Sequence, residues 1–410
     1  MSFEWPQVAV EQVCELIVDC VNKTAPVVEG PTPYRMIRTT NIRNGRVSLD
    51  GCRYVDESTY QKWTRRACLM FGDVVLTREA PIGEVGFVTA PTNLFLGQRV
   101  MQYRANGSIL SPRFLLYAFL SPSLQHQFGS HEGSGSVVSH IRVSDCFKFK
   151  IPFPPLPVQT GIAEALGALD DRIALLRETN TTLEAIAQAL FKSWFVDFDP
   201  VRAKQQGREP EGMDADTAAL FPDSFEESEL GSVPKGWRVG KVEHLLELAY
   251  GKALKASDRV AGPIPVYGSG GVTGCHNEAL VDEPSIVIGR KGTVGSLYWE
   301  DRPFFPIDTV FYVKTKVPLT YCFYQLQRLG LDGMNTDGAV PGLNRNNVYR
   351  LPIVLPPHEV LAGFDGIVSA LRHKIFGNSE QIRTLTTLRD TLLPRLISGQ
   401  LRLPNAEAVT

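Results

Sequence analysis

The sequence predicts an α+β protein in which two similar β-rich domains are separated by two long antiparallel helices that form a coiled coil. Three observations predict this fold: an internal repeat, short strand-like segments within each copy of it, and a long heptad pattern after each copy. The 410 residues correspond to two to four folding units at roughly 100 to 200 residues each. We therefore do not expect a single domain.

The repeat is clearest where each globular segment meets its helix. Residues 151–157 and 351–357 are similar Pro-rich, strand-like segments, and residues 169–173 align with 371–375 at an offset of 202. Within the globular segments, residues 76–83 resemble 288–295 at an offset of 212.

The predicted boundaries follow from this pseudo-twofold order of globular domain, helix, globular domain and helix. They are 1–157 for the first β-rich domain, 158–199 for the first spacer helix, 200–232 for an acidic linker, 233–357 for the second β-rich domain, 358–400 for the second spacer helix and 401–410 for a tail.

The globular segments contain short runs of Val, Ile and Phe that are interrupted by Gly and Pro, as at 73–76 and 285–288. This pattern is typical of strands joined by tight turns. Shorter helices are predicted at 113–119 and 321–329. The linker is polar and acidic, so we expect at most a helical turn there, at 217–220.

The two long helices carry apolar residues in alternating steps of four and three, which is a coiled-coil seam with one Asn in each helix. An antiparallel register that pairs Asn180 with Asn378 also places Trp194 on Phe364. It further places Ile162 on residue 396, and the paired positions add up to 558 in all three cases. A buried Asn pair would satisfy both amides and penalise other registers. The alternative is that one or both Asn side chains face water.

Two residues fit this seam poorly. Arg389 would lie opposite Leu169, although its stem could follow the seam while its charge reaches water. Pro394 is expected to kink or end the second helix near its final turn.

A second apolar ridge lies beside each seam, and we consider two interpretations of it. The globular domains could cover the ridge, or it could be a docking surface for partner helices. Its members, the candidate partner-docking residues, are Ile186, Phe191, Phe195, Leu388, Leu393 and Ile397.

Taken alone, the net charge of −2 argues against nucleic-acid binding, but the charge is unevenly distributed. Each predicted globular domain carries +3, residues 158–232 carry −9 and the last 53 residues carry +1. The chain thus has two mildly basic domains separated by an acidic segment. Tight DNA binding would need positive charge from partners as well.

The seven cysteines form no C-x-x-C pair, so we expect them to be small buried hydrophobic residues in a reducing compartment. No apolar run is long enough to span a membrane, and the first residues do not resemble a secretory signal. These observations predict a cytoplasmic protein.

The sequence offers little catalytic chemistry. It has no phosphate-binding loop, no H-E-x-x-H and no G-x-S-x-G, and its seven histidines have no acidic or Cys partners at useful spacing. The glycine-rich segments 268–271 and 289–292 are interpreted as turns. We therefore expect no catalytic residue and no metal site.

Nucleic-acid recognition is better supported, because Arg, Asn and Tyr recur in polar turns of both domains. Arg can form two parallel hydrogen bonds with guanine, and Asn can do the same with adenine. Each such residue could instead be a solvated turn residue or a phosphate contact. The candidate DNA-binding residues are Tyr34, Arg35, Arg38, Thr77, Arg78, Arg290, Lys291, Asn344, Arg345 and Asn346.

Several stretches together resemble the DNA-specificity (S) subunit of type I restriction-modification enzymes, over nearly the whole chain. They are 72–78, 183–195, 235–237, 288–292 and 393–399. The resemblance implies that each β-rich domain is a target-recognition domain for one half of a split asymmetric DNA site, with the helices as spacer. It also implies two methyltransferase subunits that carry S-adenosylmethionine, and motor and nuclease subunits that use ATP and Mg²⁺.

The residues and the resemblance agree on a non-catalytic chain that supplies DNA specificity while its partners supply chemistry. The main alternative is a protein-interaction scaffold of the same architecture without DNA recognition. An enzyme is the third possibility. No cofactor is expected in this chain itself.

Overall fold

A computed structural model describes residues 5–130, 140–334 and 342–403. The chain divides into two compact units. The first unit combines Met1–Leu175 with Gln381–Thr410, and the second unit is Leu176–Glu380. The last seven residues of the predicted tail lie outside the described residues.

Among its described residues, the first unit contains three sheets and three short α-helices. Its strands are β1 Gln7–Ala9, β2 Cys14–Asp19, β3 Arg35–Ile37, β4 Ile42–Arg43, β5 Gly45–Val47, β6 Arg53–Tyr54, β7 Val74–Arg78, β8 Ile82–Phe87, β9 Leu94–Leu96, β10 Val100–Ala105 and β11 Lys150–Pro152. Its short helices are α1 Glu57–Trp63, α2 Pro112–Leu120 and α3 Pro122–Gly129. The sheet orders are β2-β10-β7-β8-β5-β4, β6-β3-β9 and β1-β11.

The helices of the remaining chain are α4 Leu156–Lys192, α5 Asp199–Gln205, α6 Ala215–Ala219, α7 Leu319–Arg328, α8 Arg345–Tyr349 and α9 His358–Ser398. The strands of the second unit are β12 Phe225–Ser228, β13 Gly231–Pro234, β14 Arg238–Lys241, β15 Leu246–Tyr250, β16 Ile264–Gly268, β17 Gly271–His276, β18 Ser285–Gly289, β19 Leu297–Glu300, β20 Phe305–Pro306, β21 Val310–Thr315 and β22 Pro352–Leu355. They form the sheets β15-β21-β18-β19, β17-β16-β20, β14-β22 and β12-β13. The α+β class predicted from the sequence is confirmed.

The two units repeat one strand arrangement. The antiparallel order β2-β10-β7-β8 corresponds to β15-β21-β18-β19, and the pair β1-β11 corresponds to β14-β22. The parallel pair β3-β9 corresponds to the parallel pair β16-β20. The first unit adds the hairpin β4-β5 to the edge of its large sheet. The predicted helices at 113–119 and 321–329 are confirmed as α2 and α7.

The strand β7 shows why these segments fold as they do. Val74, Val75 and Leu76 are completely buried because the strand lies inside the sheet. Asp73, just before it, is also buried, and its carboxylate accepts hydrogen bonds from Arg104 Nε at 2.8 Å and Gln102 Nε2 at 2.7 Å. A buried carboxylate needs such partners to offset its desolvation. The acid therefore has a structural role.

The long helices α4 and α9 differ from the predicted bounds near their C-terminal ends. After Lys192 the chain continues as a π-helical turn, Ser193–Asp197, and Phe198 then adopts a left-handed conformation with φ of 55°. Pro394 was expected to kink or end the second helix, yet α9 continues to Ser398. Only the last four residues follow the proline, so a single lost donor in the final turn does not end the helix.

The linker prediction was wrong. Residues 200–232 were expected to be a polar connection with at most one helical turn, but they form most of α5, all of α6 and most of the hairpin β12-β13. Val201 and Phe221 are buried in the core of the second unit. These apolar residues, spaced widely within an acidic segment, supply burial energy that the average composition hides.

Each unit buries part of both long helices in its own core. The core of the first unit contains Ile162 and Leu166 of α4 and Leu396 of α9. The core of the second unit contains Phe191 of α4 and Phe364 of α9. Neither helix is therefore a free-standing spacer.

Candidate nucleic-acid interface

In the second unit the structure brings the predicted residues together in one cleft. Arg290 and Lys291 directly follow β18, and Asn344–Asn346 begin α8. These segments border an open cleft of about 350 Å³. The cleft is lined by Tyr250, Arg290, Lys291, Phe311, Gly342, Leu343, Asn344, Arg345 and Asn346.

Two arginines of this cleft lie against the same aromatic ring. The guanidinium carbon of Arg290 is 5.2 Å from the centre of the Tyr250 ring, and that of Arg345 is 5.0 Å from it. Tyr250 is 51% exposed and packs on Phe311, with ring centres 5.0 Å apart. Aromatic rings and guanidinium planes are the surfaces on which nucleic-acid bases stack.

The backbone holds Arg290 in place. Its N–H donates to the carbonyl of Thr309 at 2.9 Å, and its carbonyl accepts from the N–H of Leu343 at 2.8 Å. Its side chain donates through Nη2 to the carbonyl of Asp308 at 2.7 Å. Arg290 carries five N–H donors, so others remain for a ligand.

Asn344 has a structural role at the start of α8. Its Oδ1 accepts hydrogen bonds from the N–H groups of Asn346 and Asn347, at 2.9 and 3.4 Å. This is an N-cap, in which the side chain satisfies donors that the helix leaves unpaired. Asn344 thus positions Arg345 and Asn346 at the cleft, and Asn346 remains exposed.

In the first unit the backbone of Arg78 makes two hydrogen bonds that are equivalent to those of Arg290, and we call this arrangement the arginine frame. Its N–H donates to the carbonyl of Arg99 at 2.8 Å, and its carbonyl accepts from the N–H of Ile141 at 2.9 Å. Its Nη1 donates to the carbonyl of Ile141 at 3.0 Å. Arg78 and Arg290 are therefore equivalent, as the offset of 212 in the sequence indicated.

Thr77 does not belong to the candidate interface. The residue is completely buried, and its Oγ1 donates to the carbonyl of Pro81 at 2.6 Å and accepts from the N–H of Glu84 at 3.0 Å. The Thr77 side chain faces the protein interior rather than solvent, and its two hydrogen bonds stabilise the turn that follows β7.

Tyr34, Arg35 and Arg38 lie at the three-stranded sheet β6-β3-β9, whereas Arg78 ends a strand of the six-stranded sheet. The Tyr34 ring stacks on Tyr60 with centres 4.8 Å apart, and Arg38 Nη2 donates to the carbonyl of Gly51 at 3.0 Å. All three predicted residues are partly exposed. They form a second candidate surface in this unit.

The predicted register residues meet in the second unit. Asn378 is 3% exposed, and its Nδ2 donates to Asn180 Oδ1 at 2.8 Å. Asn180 Nδ2 donates to the carbonyl of Ile375 at 3.3 Å. The rings of Trp194 and Phe364 lie 5.9 Å apart. In the first unit, Arg389 Nη1 donates to Asp170 Oδ1 at 2.8 Å, so the seam position that fitted poorly holds an ion pair.

The predicted docking ridge is largely covered. Phe191 and Phe195 are each 4% exposed in the core of the second unit, while Leu393 and Ile397 are 9% and 2% exposed in the core of the first. These four residues are corrected to core residues, because the globular part of each unit packs over them. Ile186 and Leu388, at the same offset of 202, remain 48% and 44% exposed.

Sequence reasoning missed Tyr250 and Arg99. Tyr250 lies on the same face of β15 as Leu246 and Leu248, so strand alternation predicts that its side chain is buried. It is exposed instead, because it is the last residue of the strand and lies beyond the residues that pack over this face. Arg99 has φ of 72°, a conformation that is rare for residues other than Gly, beside Arg78. A long polar residue before a strand gives no such signal.

Among the described residues no group of His, Cys, Asp and Glu could hold a metal ion. Burial raises the pKa of the Cys146 thiol to about 11 and that of Cys322 to about 12. These two buried thiols are therefore protonated at neutral pH. Cys68 and Cys275 are exposed, so the expectation that all seven cysteines are buried was wrong for these two. Within the described ranges, no helix is long and apolar enough to cross a membrane.

Comparison with known proteins identifies the family. The model of the type I restriction modification DNA specificity domain matches residues 4–185 and 234–362, which is more than half of the chain. The chain belongs to the type I restriction-modification specificity family. It is therefore a specificity subunit, as its sequence resemblance implied.

Proteins with similar sequences are also type I restriction enzyme specificity subunits. The chain is 26% identical over 384 residues to the type I restriction enzyme HindI specificity subunit of Haemophilus influenzae, covering 75% of this chain and 82% of that one. It is 24% identical over 359 residues to the MjaIX specificity subunit of Methanocaldococcus jannaschii, covering 81% and 78%. The crystal structure of a type I S subunit from M. genitalium covers 96% of both chains with a TM-score of 0.61 and 19% identity. At that identity the likeness shows the fold alone.

Proposed function

We propose that the chain recognises a two-part asymmetric site on double-stranded DNA, one half through each β-rich domain. The observation that carries the proposal is the repeated arginine frame, in which Arg78 and Arg290 have the same backbone bonds in the two units. One frame per unit is what a two-part site requires. The family supports DNA specificity as the role of this chain.

In the second unit, the cleft around Tyr250 suits contact with DNA. An arginine whose plane lies against an aromatic ring keeps its N–H groups at the edge, where they can meet guanine or a phosphate. Arg290 and Arg345 both have this arrangement. The hydrogen bond to the carbonyl of Asp308 holds the guanidinium group of Arg290 in place, which lowers the loss of conformational entropy on binding.

The chain itself is proposed to be non-catalytic and to act in the cytoplasm. It would assemble with two methyltransferase subunits, which hold S-adenosylmethionine, and with motor and nuclease subunits, which use ATP and Mg²⁺. The exposed Ile186 and Leu388 suit such docking, because each unit presents one of them at an equivalent helix position.

The experiment begins by mapping methylated adenines in the host genome, which defines the DNA site and its spacer. Binding of the purified complex to that site is then measured for R78A, R290A and R238A. Arg238 is an exposed residue of β14 in the second unit and does not line the cleft, so R238A is matched to R290A in lost charge.

We expect R78A and R290A to cost roughly 1 to 3 kcal/mol each, and each to relax specificity in a different half of the site. R238A should lower affinity only slightly and equally for all sequences. Unchanged DNA binding in both R78A and R290A, with the complex intact, would favour the protein scaffold instead. Purified chain that methylated or cut DNA alone would overturn the non-catalytic role.

A further inference from the structure

In each unit an ion pair joins the two long helices. Arg389 Nη1 lies 2.8 Å from Asp170 Oδ1 in the first unit, and Arg372 Nη1 lies 2.9 Å from Glu184 Oε2 in the second. The four side chains are between 11% and 27% exposed, so solvent screens them less than it screens surface pairs. In both pairs the acid belongs to α4 and the base to α9.

The surroundings of each pair fix its groups. Tyr117 OH donates to Asp170 Oδ2 at 2.8 Å, and the equivalent Tyr324 OH donates to Glu184 Oε2 at 3.3 Å. The guanidinium of Arg372 also lies 4.5 Å from the centre of the Trp299 ring. Each acid therefore keeps a defined position on α4.

The internal repeat creates a competing arrangement. Because α4 and α9 align at an offset of 202, a second copy of α4 could in principle take the place of α9. Position 170 of that copy would then stand where Arg372 stands, against Glu184. By symmetry, Asp170 of each copy would face Glu184 of the other copy, so carboxylate would meet carboxylate at two places.

The same exchange on the other side pairs α9 with a second α9. Position 372 of the second copy would then stand where Asp170 stands, against Arg389, and two pairs of guanidinium groups would face each other. Like charges held at such distances are unfavourable, whereas the observed pairing of unlike helices has none of these four contacts.

The asparagines discriminate in the same direction. In the α4 pair, the offset of 202 places Leu176 where Asn378 stands, so Asn180 would face Leu176. In the α9 pair, Asn378 would face Ile382. Each like pairing therefore breaks the bond between the two amides, and a buried amide that loses its partner is unfavourable.

We propose that this segregation of charge makes α4 select α9 as its partner and reject a second copy of itself. The acids on α4, the bases on α9 and the off-centre asparagines all specify pairing between unlike helices. Because both helices belong to one chain, the selection keeps the two similar halves of a chain together and prevents like halves of two chains from associating.

The test inverts the preference in the full chain without changing its net charge. D170R/R372E makes both observed pairs repulsive and makes every like pairing attractive. The matched control D170R/E184R/R372E/R389E contains the same two substitutions but restores opposite charges within the chain and like charges between copies. Both variants lose the Tyr117 and Trp299 contacts, and the control also loses the hydrogen bond from Tyr324 to Glu184.

Sedimentation velocity over a range of protein concentrations measures association. We expect the wild type and the four-fold variant to sediment as one chain of 45.3 kDa. D170R/R372E should form a two-chain species with a dissociation constant at least tenfold lower than theirs, and high salt should weaken it. The proposal is overturned if D170R/R372E stays at the one-chain mass, or if the four-fold variant associates as strongly.

If D170R/R372E does not fold, D170N/R372Q decides. This variant removes the discrimination that charge provides without creating new charges, so differently labelled copies should co-sediment at least several-fold more than labelled wild-type copies do. Equal co-sedimentation of D170N/R372Q and the wild type would overturn the proposal.

Discussion

The hydrogen bond between Asn180 and Asn378 leads to a prediction about coupling between the two residues. Asn378 is almost completely buried and donates to Asn180 Oδ1 at 2.8 Å, while Asn180 itself donates to the carbonyl of Ile375 and to Ser379 Oγ. N180L leaves the buried amide of Asn378 without its acceptor. N378L leaves Asn180 Oδ1 without that donor. The double variant N180L/N378L removes both amides.

The magnitude follows from the asymmetry of buried hydrogen bonds. An intact bond contributes about 0.5 to 1.5 kcal/mol, but a buried group that loses its partner costs about 1 to 3 kcal/mol. We expect each single variant to lose about 1 to 3 kcal/mol of unfolding free energy. The double variant should be close to the wild type or more stable, because leucine pairs suit the seam. The coupling energy should therefore be at least about 1 kcal/mol.

Urea unfolding of the full chain measures this, provided that the second unit is observed alone. Three of the five tryptophans, Trp194, Trp237 and Trp299, belong to the second unit. The wild type, the two single variants and the double variant are therefore compared by fluorescence in a background in which Trp5 and Trp63 are replaced by phenylalanine. Strictly additive single and double variants would refute the buried pair, as would a double variant less stable than both singles.

Three further predictions follow from burial, stacking and titration. F195A should cost about 3 to 5 kcal/mol of unfolding free energy and I186A less than about 0.5 kcal/mol, and similar urea midpoints for the two would contradict the assignment of Phe195 to the core. Y250A should weaken DNA binding about 5- to 150-fold in fluorescence anisotropy with little loss of stability, because a base would lose roughly 1 to 3 kcal/mol of stacking, and unchanged affinity would remove the ring from the interface. Burial opposes ionisation of Glu300, but the hydrogen bonds from Arg302 outweigh it and hold the pKa of Glu300 below its ordinary value of 4.5. The stability that this carboxylate adds is present above pH 4.5 and lost as the pH falls through the lower pKa, so the advantage of the wild type over E300Q should shrink on acidification, and a constant difference down to about pH 3 would show that the pKa is not lowered.

Periodicity in the sequence predicted the long helices and their pairing, since a seam repeated over many turns averages out local exceptions. It also placed Arg78 and Arg290 at equivalent positions, because the repeat preserves the turn after the strand. Average composition failed for residues 200–232, where a few apolar residues within an acidic segment fill a core. The choice of Thr77 as a DNA-binding residue was wrong, because a side chain at the end of a strand can face either the protein interior or the exposed turn.

The cleft could not be predicted, because its members are distant in the sequence. Tyr250 ends one strand, Arg290 follows another and Arg345 begins a short helix, and only the folded sheet brings them together. The ridge shows the opposite limit. Heptad spacing identified Phe195 and Leu393 as apolar positions beside the seam, but spacing cannot distinguish a covered face from a free one.

The division of both long helices between the two units has a consequence for the order of synthesis. The first unit needs Leu393, Leu396 and Ile397 for its core, yet about 205 residues of the second unit are translated before that segment begins. At roughly 5 to 20 residues per second, the amino-terminal unit waits about 10 to 40 s on the ribosome for its last helix. The second unit needs no residue beyond Glu380, so the part of the protein that is made first is the part that is completed last.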